Sequence, residues 1–187
     1  MQQTSKYHAT ATDLASEQLV VEAAKKDPAK FAPLYDKYYE QIFRFIFQRL
    51  DDKEQAFDAT QQTFLKALNN LPKYEYRGVP FASWLYRIAS SEVNNLFRAE
   101  KAQRTVNIES VSIYGIIEEI SESKVDEYHD KIVGIISELP EEELQLIEMR
   151  FFEKRAFKEI AEILDMTENN AKVKTYRILD KLKKMIK

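Results

Sequence analysis

Cysteine is absent from the 187 residues, which excludes disulfides, thiol nucleophiles and Cys-ligated zinc and fits a reducing cytoplasm. Histidine occurs only as His8 and His129, neither spaced as a metal ligand or a triad member, and no Gly-rich phosphate loop is present. Neither metal nor cofactor nor enzymatic activity is therefore expected. No apolar run approaches the length of a membrane span. The polar start "MQQTSKYHATATD" lacks the apolar stretch of a signal peptide, so a cytoplasmic chain without membrane insertion of its own is expected. Glycine is limited to three residues and proline to five, and long segments of helical period fill the space between them, which predicts an all-α protein. A dominant charge sign is missing too: 28 Lys+Arg face 31 Asp+Glu, a net −3. That balance argues against a general nucleic-acid binder, so the placement of the charges has to decide.

What is present is enough apolar residues, 44% including aromatics, for a substantial core. A first helix is expected from about Thr12 to Lys26, with Asp13 near its start and "KKDP" as its stop. In "FAPLYDKYYEQIFRFIFQRL", Phe31, Leu34, Tyr35, Tyr38, Ile42, Phe45, Ile46 and Leu50 mark one face. "DDKEQAFDATQQTFLKALNNL" turns Ala56, Ala59, Thr60, Thr63, Phe64, Ala67 and Leu68 inward. The Pro-bounded loop "PKYEYRGVP" precedes another long helix, "PFASWLYRIASSEVNNLFRAEKAQR". From Thr105 to Asp130 seven carboxylates face Lys124 alone, with no sustained period before Val125. This predicts two small helical domains, residues 1–104 and 128–187, joined by an acidic flexible linker over 105–127 with room for a short helix.

The helix after the loop has two unlike sides. Leu85, Ile88, Ala89 and Leu96 build an apolar stripe, while Arg87, Ser91, Asn94, Arg98 and Lys101 recur at the same helical spacing as a polar, cationic stripe without a carboxylate. Beside it the loop offers Tyr74, Tyr76 and Arg77. Phosphate-binding cations next to aromatic platforms suit unpaired or flipped-out bases. Tyr74 and Tyr76 lie in a polar loop, where full burial is not expected. Phe81 is expected in the core, and Trp84 falls at the edge of the apolar face, where packing and base stacking are equally open.

The C-terminal part carries a second pattern. "ELPEEELQLIEMRFFE" starts a helix with Pro140 in its first turn and three glutamates at the positive dipole end. "AFKEIAEILD", the turn "MTENN" and a final basic helix then match a helix-turn-helix. Ala161 permits a close crossing, Ala171 faces inward, and Thr167 or Asn169 can cap the second helix. From Lys172 onward seven cations face Asp180 alone. Glu168, Asn169, Asn170, Lys172, Val173 and Tyr176 are placed to reach base edges, and Lys174 and Arg177 to reach phosphates.

These stretches together resemble bacterial alternative sigma factors of the extracytoplasmic-function (ECF) group of the sigma-70 family, from about Phe31 to Lys187. "DATQQTFLKAL" is similar to the family's Asp-x-x-Gln-Glu-x-Phe-x-x-Ala motif, on a helix that in the family binds the polymerase clamp. The resemblance assigns Asp58, Gln61, Gln62 and Lys66 to that contact. "YEYRGVPFASWLYRIASSEVNNLFR" is similar to the run that melts and reads the minus-ten element. It implies that role for Tyr74, Tyr76, Arg77, Trp84 and Arg87, and for Ser91, Asn94, Asn95, Arg98 and Lys101. The C-terminal helix-turn-helix resembles the module that binds the polymerase flap and reads the minus-thirty-five element. Gln62, Ser91, Asn95 and Leu179 depart from the family pattern. The implied partners are core RNA polymerase, promoter DNA and an anti-sigma factor. A stand-alone helix-turn-helix regulator would account for the C-terminal half but leaves "YRGVPFASWLYRIA" without a task.

Overall fold

The computed structural model describes residues 9–100, 113, 115–117 and 125–186. The described residues are helical, with no strand among them, and the chain divides into two compact units, Met1–Val106 and Asn107–Lys187.

Among its described residues the first unit has four α-helices: α1 (Ala11–Lys26), α2 (Ala32–Leu50), α3 (Lys53–Asn70) and α4 (Phe81–Glu100). α1 begins with a capping box. Thr10 Oγ1 accepts the Asp13 N–H at 3.2 Å, and Asp13 accepts the Thr10 N–H at 2.9 Å. The two bonds from Thr10, side chain before backbone, hold the Asp13 carboxyl below its ordinary value of 3.8. α2 ends at Asp51, which takes the left-handed conformation (φ 52°), and Asp52 then caps α3 by accepting the Gln55 N–H at 2.9 Å. These two aspartates make the α2–α3 corner without a glycine.

α2, α3 and α4 share one core. Ile42, Phe45 and Ile46 from α2 and Leu85, Tyr86 and Ala89 from α4 are fully buried, and small Ala56, Ala59 and Ala67 let α3 approach closely. Tyr86 stands edge-on to Phe45 at 4.8 Å, and its buried hydroxyl accepts a bond from Gln41 at 2.8 Å. Thr60 and Thr63 satisfy their buried hydroxyls on the carbonyls of Ala56 and Ala59. At the end of α2 the buried side chain is Arg49, lying 3.5 Å from the Phe45 ring centroid, while Leu50 is half-buried. The apolar face of α4 runs through Ala82, Leu85, Tyr86, Ala89 and Val93, which leaves Ile88 and Leu96 at its edges.

The second unit contains α5 (Val125–Ser137), α6 (Glu141–Ile147), α7 (Phe157–Ile163) and α8 (Glu168–Met185). α6 runs on into a widened turn over Glu148–Phe152. Pro140 and three glutamates start α6 as its composition requires. In the 105–127 stretch Ile113, Ile116 and Ile117 are helical and fully buried, and a Cβ on Gly115 would sit 3.8 Å from the Phe151 ring. A short helix therefore lies within the acidic stretch, and its isoleucines recur at three and four, which is one helical face. The rest of that stretch up to Lys124 lies outside the described residues.

Candidate nucleic-acid and polymerase interface

The loop from Tyr74 to Pro80 splits its aromatic residues. Tyr76 is 41% exposed, and Glu75 and Arg77 flank it on the surface. Tyr74 is only 7% exposed, against expectation, and offers no platform. Its ring packs 5.2 Å from Phe81 and 4.9 Å from Trp84, so the next helix supplies the apolar seat that the loop sequence lacks. Gly78 takes a positive φ of 71° and turns the chain back toward α4. Trp84 is half-buried, with one side on Tyr74 and Phe81 and the other facing a groove.

That groove, about 440 Å³, runs between α3 and α4. Lys66 and Asn70 line it from α3, Lys73 from the connecting turn, and Trp84, Arg87, Ile88, Ser91 and Glu92 from α4. Of the polar stripe of α4, Arg87 and Ser91 line the groove, while farther along the helix Asn94 is half-buried and Asn95 and Arg98 are exposed. The groove also holds a carboxylate, Glu92, which pairs with Lys66 at 2.6 Å. Lys73 and Arg87 add two further cations to its lining. Lys66, assigned by resemblance to polymerase, thus lies beside the residues assigned to DNA. Lys101 lies outside the described residues.

The outer side of α3 is a separate surface. Asp58 and Gln62 are exposed, and Gln61 is held by a 3.2 Å bond from its Nε2 to the Tyr35 hydroxyl. Phe57 and Leu65, each 50% exposed, flank them one turn on either side. Neither had been counted as a site residue. The signal was available, since both are large apolar side chains four residues from Gln61 and off the buried stripe.

In the second unit α7 and α8 form the helix-turn-helix. Asp165 (φ 54°) makes the turn, and Thr167 caps α8 by accepting the Asn170 N–H at 3.2 Å. Ala161 and Ala171 are both buried where the helices cross. Asn169, Asn170, Val173, Tyr176 and Arg177 share the exposed side of α8. Lys172 is exposed and pairs with Glu168 at 3.1 Å. Lys174 is bound to Glu142 of α6, and Lys181 pairs with Glu143 at 3.2 Å, so part of the basic charge fastens α8 to α6. The expectation that Lys174 reaches phosphates is corrected to that extent. Leu179, where the family pattern commonly has a basic residue, is buried.

Among the described residues no group of His, Asp and Glu could hold a metal, and no helix is long and apolar enough to cross a membrane.

Residues 34–103 match Sigma-70 region 2, and residues 135–184 match Sigma-70, region 4. The chain is 26% identical over 171 residues to the ECF RNA polymerase sigma factor BldN of Streptomyces coelicolor, a match covering 90% of this chain and 65% of that one. It is 24% identical to the ECF sigma factor SigM of Bacillus subtilis, over 80% of this chain and 91% of the relative. With SigW of the same organism the identity is 23%, over 90% and 95%. The solved structure of CnrH in complex with the cytosolic domain of CnrY has the same fold, with a TM-score of 0.60 at 17% identity, covering 91% of this chain and 97% of that one. With both regions matched in order, and a helix-turn-helix inside the second, the chain belongs to the sigma-70 family, in its ECF group, and directs RNA polymerase to promoters for transcription initiation.

Proposed function

We propose that the first unit opens and reads the minus-ten element with the loop around Tyr76 and Arg77, the groove residues Trp84, Arg87 and Ser91, and Asn94, Asn95 and Arg98 farther along α4. The observation that carries this reading is the exposed Tyr76–Arg77 pair placed at the mouth of α4, next to a groove lined by Lys66, Lys73 and Arg87. Arg98 holds phosphate and carries no sequence information, whereas Tyr76, Arg77 and Asn94 make the base-specific contacts. Asp58, Gln61 and Gln62, with Phe57 and Leu65, dock on the polymerase clamp. In the second unit the exposed side of α8 reads the minus-thirty-five element. The factor acts in the cytoplasm, performs no chemistry of its own, and is held inactive by an anti-sigma factor. The last point is supported by the likeness to CnrH, whose structure was solved with a bound partner.

The test uses holoenzyme carrying Tyr76→Ala and Arg77→Ala together. Unstacking a base costs a few kcal/mol, of which an aromatic platform returns about 1–3 kcal/mol. Permanganate reactivity of unpaired thymines on a linear promoter should fall about tenfold or more, with polymerase affinity unchanged. Reactivity equal to the parent would reduce the loop to a structural turn.

A further inference from the structure

Glu17 belongs to α1, outside the residues that match region 2, and none of the promoter contacts above involves it. It is nonetheless buried, and its carboxylate joins three helices. Oε2 accepts the backbone N–H of Phe81, the first residue of α4, at 2.6 Å. Oε1 accepts from Lys37 Nζ at 2.7 Å and from the Tyr38 hydroxyl, both on α2. The first N–H groups of a helix have no partner within it, so Glu17 serves as a cap for α4 delivered from 64 residues away. Farther along α1, Lys25 Nζ lies 5.7 Å from the Tyr74 ring centroid. α1 therefore holds the Tyr74–Pro80 loop at both ends: Glu17 through the Phe81 amide and Lys25 through Tyr74.

A buried carboxylate is costly unless every charge and lone pair is matched. An apolar residue would fill the same space, but it would leave the Phe81 N–H buried and unpaired. We propose that Glu17 is a positioning residue for promoter opening: it fixes the first turn of α4 and so the aim of Tyr76 and Arg77. This rests on the assignment of that loop as the melting element.

Trp84 is the protein's only tryptophan and packs 5.5 Å from Phe81 and 4.9 Å from Tyr74, so its fluorescence reports the loop–α4 junction directly. Holoenzymes with Glu17→Ala, Glu17→Gln and Tyr38→Phe are compared with the Tyr76→Ala/Arg77→Ala variant. In Glu17→Ala, losing a charge-assisted bond should cut permanganate reactivity on a linear promoter about tenfold. Trp84 emission of the free chain should shift while its core affinity stays within about twofold, an effect too small to represent a lost interaction. Glu17→Gln keeps an acceptor for the Phe81 amide and should recover most of the opening. Tyr38→Phe removes one hydroxyl and little packing. It should cost about threefold, and it decides the matter if Glu17→Ala fails to fold. Parental melting and parental Trp84 emission in Tyr38→Phe and in folded Glu17→Ala would overturn the proposal. If the Tyr76→Ala/Arg77→Ala variant is defective while the Glu17 variants are not, Glu17 alone loses its role. If the loop variant itself melts DNA normally, the melting assignment falls first and Glu17 with it.

Discussion

Phe57 and Leu65 make a quantitative test of the polymerase-facing side of α3. Each leaves 50% of its surface in water and is already half-packed against its own unit. Fully burying a Phe or Leu side chain is worth about 1.5–3 kcal/mol, so covering the remaining half on docking contributes about 1 kcal/mol per residue. The two together should therefore account for about 2 kcal/mol, or about 30-fold in Kd. Glutamine is the substitution of choice, because it is a good helix former and restores solubility to the exposed half. The Phe57→Gln/Leu65→Gln chain, labelled at its N-terminus, is titrated with core polymerase and read by fluorescence anisotropy, with thermal unfolding followed alongside. A folded double variant binding core within about threefold of the parent, a change below 1 kcal/mol, would refute the reasoning and move the clamp contact to another face.

On α8, Lys172→Ala should change preference at one or two positions of the minus-thirty-five element, at about 1–3 kcal/mol if it makes a base contact. Arg177→Ala should weaken all promoters alike and lower the salt slope by about one; run-off yields across a promoter set at several salt concentrations separate the two. Asp13 gives a pH dependence. Its folded-state value lies below the ordinary 3.8, so its contribution to α1 is present above that value and is lost as pH falls through the lowered one. Asp13→Asn should abolish this part of the acid dependence, measured by helical signal between about pH 5 and pH 2.

The three-helix core was legible because α2, α3 and α4 each bury a face with unbroken helical spacing, and the helix-turn-helix because two short periodic runs flank a capped turn. What escaped depended on partners far along the chain. Tyr74 reads as a polar-loop residue until Phe81 and Trp84 fold back onto it. Glu17 reads as one surface acid among many, because its three partners lie 20, 21 and 64 residues away. Lys174 reads as a phosphate contact because Glu142 is 32 residues distant. Charge over 105–127 drew attention to the acids there and away from Ile113, Ile116 and Ile117, whose spacing already described a buried face.

Selection and opening of promoters by two units acting through polymerase is tested most directly by run-off transcription with purified core polymerase over a randomised promoter library. Transcription should depend on this chain, and productive templates should share two sequence blocks at fixed spacing. The chain alone should bind those duplexes weakly at physiological salt, since its net charge is −3 and its cations are local. Tight, specific duplex binding by the chain alone, with no stimulation of transcription by core polymerase, would contradict it.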